Sequence, residues 1–334
     1  MSSFWRGKNV CITGINGFVA SAIASSLVKE GANVVGTLRD TSYFDKKSYF
    51  FSKEDLGKIK FAMGDIQDLN FMSRVLSGNE VEYVFHLAAC STVRIASRNP
   101  LECFNTNIKG TYTVCEAIRN CPTIKGAVVA SSDKAYGVSE VLPYTEDMNL
   151  NGLFTYDASK SCTDIVSRSY ASNYDCPITV LRCSNIYGPG DFNLTRIIPN
   201  TIRRLEQGDA PILWDETAKQ EREFTFIDDI VVAYKTVLED IDKTKGEAFN
   251  FGTGIPTNIA SFMDKILESY EAVTKTLPPP AIIKQKEGSF KEIPCQYLDS
   301  TKIERVTGRK FAKTSLSHGL LETVRWYVKY LEEL

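Results

Sequence analysis

Residues 130–137 read "ASSDKAYG", which places an acid and a base side by side at Asp133 and Lys134, directly after Ser131 and Ser132. The run before them, Gly126-Ala127-Val128-Val129-Ala130, is apolar and predicts a buried strand that carries the pair at its end. Downstream, "TYDASK" sets Tyr156 and Lys160 four apart, on one face of a helix. A phenol with an ordinary pKa of about 10 is a poor base at neutral pH. A lysine ammonium one turn away favours the phenolate and lowers that value. Ser132, Tyr156 and Lys160 together are the candidate proton-transfer set.

The elements that must position these groups are legible as an alternation. "NVCIT" is followed by a helical pattern from about Val19 to Glu30, and then by "NVVGTL", "IKFAMGD", "VEYVFHLA", "KGAVVASS" and "ITVLRCS". Each run is short, apolar and β-branched, as parallel strands covered on both faces should be. Between them lie helical patterns such as Leu101-Phe104-Ile108-Tyr112-Cys115-Ile118. The expected fold is α/β, a Rossmann-type doubly wound parallel sheet with ligands at the carboxyl ends of its strands. After about Asn185 Pro and Gly punctuate the chain, and a smaller, less regular lobe is expected. Residues 1–185 form the expected dinucleotide-binding domain, rejoined by about 222–252 through "EFTFIDD" and "EAFNFG". Residues 186–221 and 253–334 form the expected C-terminal α/β substrate-binding lobe. Its last helix should carry Leu321, Val324, Val328 and Leu331 on one face.

"ITGINGFVA" puts Gly14 and Gly17 at the first strand-to-helix turn, with Asn16, Phe18 and Val19 beside them. Glycines here let the backbone approach a pyrophosphate, which sits against the N–H groups of the helix N-terminus. The third small position is Ala20. At the end of the second strand, "VVGTLRD" offers Arg39 and then Asp40. An acid at this point suits the ribose hydroxyls of NAD, and an arginine suits the 2′-phosphate of NADP. Either cofactor is open, and Arg39 tilts the reading toward NADP. Asp65 and Ile66 of "GDI", with Leu87, Ala88 and Ala89 of "HLAA", should flank the adenine and nicotinamide halves.

Composition narrows the class. The 334 residues are 43% apolar and 24% charged with a net charge of −2, so neither nucleic acid nor membrane surface is an expected partner. No apolar run approaches the ~20 residues of a membrane span. The start lacks a signal-peptide pattern, so a cytoplasmic protein is expected. Nine scattered cysteines without a Cys-x-x-Cys pair read as reduced thiols. With only His86 and His318 no metal site is expected, and His86, inside "VFHLAA", reads as a core histidine.

Taken together, "TGINGFVAS", "GDI", "HLAA", "NTNIKGT", "SSDKAYG", "YDASK", "RCSNIYGPGD" and "REFTFIDD" resemble the extended short-chain dehydrogenase/reductase superfamily, in its NDP-sugar epimerase/dehydratase branch. The resemblance implies that Ser132, Tyr156 and Lys160 oxidise a sugar hydroxyl at C4, with the hydride passing to a tightly held NAD or NADP. It implies that Asn107 belongs to the cofactor site with Tyr156 and Lys160. In sugar 4-epimerases the two positions after the serine are small or neutral. In 4,6-dehydratases they are Asp followed by Glu or Lys, the Lys form resembling the CDP-glucose enzymes. Once C4 is a ketone, loss of water across C5–C6 needs a base at C5 and an acid at the C6 hydroxyl. Asp133 would be that acid. Lys134 would either be the base, as a neutral amine, or orient Asp133 while Tyr156 or a water moves the C5 proton. The hydride then returns to C6 and the cofactor is regenerated. By position Asn185, Arg196, Pro199 and Arg222 would face the nucleotide diphosphate, and Ser91 and Thr92 the sugar. The resemblance also implies a homodimer through a four-helix bundle. The alternatives are a 4-epimerase, an NADPH-dependent keto-sugar reductase, and a cofactor-binding regulator without catalysis.

Overall fold

The computed structural model describes residues 3–39, 51–285 and 293–332. Six strands run through the first half: β1 (Asn9–Thr13), β2 (Asn33–Leu38), β3 (Ile59–Met63), β4 (Tyr83–His86), β5 (Gly126–Ser132) and β6 (Ile178–Cys183). Shorter ones follow: β7 (Asn185–Tyr187), β8 (Ile212–Trp214), β9 (Glu221–Arg222), β10 (Phe224–Phe226), β11 (Ala248–Phe251), β12 (Thr257–Asn258), β13 (Ile282–Lys284) and β14 (Cys295–Gln296). A seven-stranded parallel sheet has the order β11-β6-β5-β4-β1-β2-β3. The chain therefore winds outward from β1 in one direction and then from β4 in the other. The crevice beyond the carboxyl ends of β1 and β4 is where such a sheet binds ligands.

Both faces of the sheet are covered, which explains the unbroken apolar runs. Val10 and Ile12 pack with Ile23 and Leu27 of the helix Phe18–Lys29 and with Ile230 and Val237 of the helix Ile227–Glu239. Cys11, Val35 and Val84 point the other way, toward Val114 and Ile118 of the helix Gly110–Arg119. Successive side chains of each strand thus feed two cores. The helix Thr155–Tyr174 packs against Gly110–Arg119 and lies along β5 and β6. The pattern from Leu101 to Ile118 is one helical run, Pro100–Phe104 and Gly110–Arg119, joined by a π turn at Asn105–Lys109.

Two expectations change. "EAFNFG" does return to the sheet, as β11 beside β6. "EFTFIDD" does not: β10 pairs with β7 in a separate two-stranded ribbon, because the chain leaves the sheet at Ser184. The last helix, Leu316–Glu332, buries Leu320, Thr323, Val324 and Tyr327; Leu321, Val328 and Leu331 lie at its half-buried flank. The stripe is rotated because Tyr327 reaches inward to donate to the Asp191 carbonyl. Among the described residues no helix is long and apolar enough to cross a membrane.

Candidate active site

A cleft of about 890 Å³ opens at the carboxyl ends of the strands. Its floor begins with the β1 turn. Gly14 has φ +65°, and a Cβ there would lie 2.8 Å from the Ala88 Cα, so only glycine allows the two loops to touch. The helix Phe18–Lys29 then starts at Gly17 with no side-chain cap and no acidic residue in its first turn. Its first N–H groups stay available to an anion. This cradle fits the pyrophosphate of a dinucleotide. Thr13 fixes the opposite wall, since its Oγ1 accepts from the N–H groups of Leu87 and Ala88, both at 3.0 Å.

Asn16, Phe18, Val19, Arg39, Asp65, Ile66 and Ala89 also line the cleft. Asp65 Oδ1 accepts from the Gln67 N–H at 2.9 Å, which fixes the carboxylate at the end of β3. Arg39 Nη1 donates to Glu102 Oε1 at 2.6 Å, a pairing the sequence did not announce. Asp40 lies outside the described residues. Asn107 does not line the cleft. It is buried behind the wall, where its amide grips Cys90 by accepting from the N–H at 2.7 Å and donating to the C=O at 3.1 Å. From the π turn it therefore holds the backbone of Cys90, a residue of the cleft wall.

At the end of β5 the strand turns into a short 3₁₀ helix, Asp133–Tyr136. Ser132 Oγ donates to Asp133 Oδ1 at 2.9 Å and accepts from the Lys134 N–H at 3.3 Å. Lys134 Nζ lies 3.4 Å from both Asp133 carboxylate oxygens. It also donates to Gln296 Oε1, which arrives from β14. Asp133 is buried, and both residues line the cleft.

Tyr156 and Lys160 face the same space from the helix Thr155–Tyr174. Lys160 Nζ donates to the Ala130 carbonyl at 2.7 Å, and burial pushes the ammonium down to about 8. Burial and then the Asp133 charge push the Tyr156 phenol above its ordinary value, against a hydrogen bond with Ser132. Desolvation of the phenolate dominates, and the groups that oppose it are Ser132 and Arg196 rather than the Lys160 expected from the sequence. Asp157, the next residue, is buried. Its carboxyl is pushed up to about 6, by burial first, with Lys134 opposing and Asp133 adding.

His86 is a core group as expected. Its Nδ1 and Nε2 lie 2.9 and 3.1 Å from the hydroxyls of Thr13 and Thr111, and burial pushes it down to about 3. Among the described residues no cluster of His, Cys, Asp and Glu could hold a metal.

The cleft is also lined by Ser91, Thr92, Asn185, Arg196, Pro199 and Arg222. Arg196 pairs with Asp191 at 2.8 Å. Arg222 is braced by the Glu221 and Pro294 carbonyls and by Gln220 Oε1 at 2.8, 3.2 and 2.9 Å. Asn185 Nδ2 donates to the Glu223 carbonyl at 3.0 Å. Thr92 Oγ1 and Ser131 Oγ, on two residues of the cleft wall, are buried without a hydrogen-bond partner.

The cleft thus joins an anion cradle to a Ser–Tyr–Lys set and a buried acid, with two arginines beyond. Over residues 10–252 the chain matches the NAD dependent epimerase/dehydratase family. The UDP-N-acetyl-alpha-D-glucosaminuronate decarboxylase of Bacillus cytotoxicus is 31% identical over 96% of this chain and 98% of its own length. The CDP-glucose 4,6-dehydratase of Salmonella typhimurium is 30% identical over 63% of this chain and 61% of its own. Among solved structures, the UDP-glucose 4-epimerase of Thermotoga maritima with UDP-glucose superposes with a TM-score of 0.84 at 27% identity, covering 97% of this chain and 99% of that one. The dTDP-glucose 4,6-dehydratase of Streptomyces venezuelae with NAD bound gives 0.81 at 26%, covering 96% and 97%.

Proposed function

The chain belongs to the NAD dependent epimerase/dehydratase family, and we propose that its own reaction is the 4,6-dehydration of a nucleotide hexose, with a CDP-glucose-like substrate favoured. The observation that carries this reading is Asp133, a buried carboxyl beside the Ser132 hydroxyl and in the same cleft as Tyr156. A 4-epimerase, which removes no water, has no use for a second acid there.

In this reading the Gly14–Gly17 turn and the N-terminus of the helix Phe18–Lys29 would hold a nicotinamide dinucleotide, which would supply hydride acceptance from C4 and hydride return to C6. Tyr156 accepts the proton of the C4 hydroxyl, which Ser132 orients, and Lys160 favours the phenolate. Asp133 protonates the C6 hydroxyl as it leaves. Arg196 and Arg222 hold the diphosphate, Asn185 and Pro199 complete that end, and Ser91 and Thr92 line the sugar pocket. The lobe of residues 1–184, completed by β11, mainly serves the cofactor, and the remaining segments, Asn185 and Arg222 among them, mainly the substrate. Tyr112 and Ile165, exposed on neighbouring helices, suit the homodimer contact.

The test is mass spectrometry of reactions with CDP-glucose, GDP-mannose, dTDP-glucose, UDP-glucose and UDP-GlcNAc, without added reductant. A product lighter by one water supports the dehydratase and names its substrate. An isomer of unchanged mass makes the protein an epimerase, the second reading, favoured by the full-length likeness to the Thermotoga maritima enzyme.

A further inference from the structure

We propose that Gln296 is a positioning residue for the elimination, holding Lys134 Nζ against Asp133 so that the pair can pass one proton between its members. The inference rests on the dehydratase reading. Gln296 is fully buried and accepts from Lys134 Nζ, although the two residues are 162 positions apart. It is held there by pairing in register with Arg222, whose guanidinium donates to the Pro294 carbonyl of the same segment. Lys134 Nζ therefore sits between a carboxylate on its own 3₁₀ helix and an amide from the C-terminal segment. The buried Asp157, on the helix that carries Tyr156, is near enough for the Lys134 charge to act on its carboxyl.

The residue type matters. An amide oxygen accepts equally from an ammonium or a neutral amine and brings no charge, whereas a carboxylate would favour the ammonium alone. Gln296 thus fixes the position of Nζ and leaves its proton free to move. The step then balances within the pair. A proton passes from Lys134 Nζ to Asp133, and Asp133 passes one to O6 as the C6–O6 bond breaks. The C5 proton goes to the amine of Lys134 while its electron pair forms the C5–C6 double bond. Water leaves, and both side chains return to their starting state. C4 oxidation uses Ser132 and Tyr156; Asp133 touches that set through its hydrogen bond from Ser132, but no proton of the Asp133–Lys134 pair is transferred in it.

The experiment uses the full chain with its retained cofactor and the nucleotide sugar that the wild-type protein dehydrates. Gln296→Glu is nearly isosteric and Gln296→Leu removes the acceptor. Two signals are followed in single turnovers: absorbance of the reduced nicotinamide for C4 oxidation, and solvent deuterium at C5 with water loss for elimination. Both variants should oxidise C4 within about 3-fold of wild type while elimination falls about 100-fold, so the reduced cofactor persists. Gln296→Asn, an amide with shorter reach, should recover part of the elimination. Elimination within about 3-fold of wild type in both variants overturns the proposal. So does an equal loss of both steps in a Gln296→Glu protein whose melting is unchanged. A wild-type protein that removes no water from any sugar fails at the earlier step, and takes this inference with the dehydratase reading.

Discussion

The Ser132 hydroxyl donates to Asp133 Oδ1 at 2.9 Å, which ties the hydroxyl proposed for C4 oxidation to the carboxyl proposed for the elimination. Asp133→Asn keeps an oxygen for that bond and removes the transferable proton. The variant should still oxidise C4, within about 10-fold of wild type, while water loss falls by about 10²–10⁴. Transient absorbance of reduced nicotinamide beside mass spectrometry of the product separates the two. Equal loss of both steps would mean that Asp133 only supports Ser132.

Gly14 tests the cofactor cradle. A Cβ at this position combines φ +65° with a 2.8 Å approach to the Ala88 backbone. Left-handed backbone costs an alanine about 1 kcal/mol, and forced overpacking adds about 1–3 kcal/mol. Gly14→Ala should lower the melting temperature and lose bound nicotinamide during purification, because the β1 turn and the β4 loop move apart. A stable variant that retains its cofactor would separate this turn from the binding site.

Asp157 makes stability depend on pH. Its folded value of about 6 stands above the ordinary 3.8, chiefly through burial. The folded protein therefore holds this proton more tightly than the unfolded chain. The associated stability is complete below about pH 4 and is lost as pH rises through about 6. Asn is neutral throughout, so Asp157→Asn should stabilise the protein at pH 8 by on the order of 1–3 kcal/mol, with the gain shrinking toward pH 4. Urea unfolding at the two ends of that range measures it. An effect of equal size at both pH values would rule out the titration.

The sheet was readable because its strands, the exposed edge strand β3 apart, are buried on both faces and so must be apolar without alternation, as in "GAVVASS". The residues proposed to react were brought together legibly, because Ser132 ends a strand, and Tyr156 and Lys160 are one helical turn apart. Both facts are local. What escaped depends on distant segments meeting. Gln296 reaches Lys134 only through the pairing of β14 with β9, and no feature of "CQYLDS" signals it. Asn107 was placed in the cleft by its motif, whereas the π turn directs its amide to the Cys90 backbone. Arg196 was legible as a cation, but its partner Asp191 was not, since the loop between them first has to fold back.

The same lesson bears on the choice of cofactor. Read alone, Arg39 points to the 2′-phosphate of NADP. In the structure Glu102, 63 positions away, accepts from its guanidinium at 2.6 Å, and both line the cleft. A carboxylate so placed offsets the arginine's charge and repels a phosphate brought beside it. The wild-type protein should therefore bind NAD at least as tightly as NADP. Glu102→Gln removes the negative charge and keeps a hydrogen-bonding side chain, so it should shift the ratio of the two dissociation constants toward NADP by about 10-fold, equivalent to ~1.4 kcal/mol. The shift should shrink in high salt, because the pair is half exposed and screened. Titration of cofactor-stripped protein with each dinucleotide measures the ratio directly. If it is the same in the variant, Glu102 has no part in the choice, and the ribose is read by another residue at the end of β2.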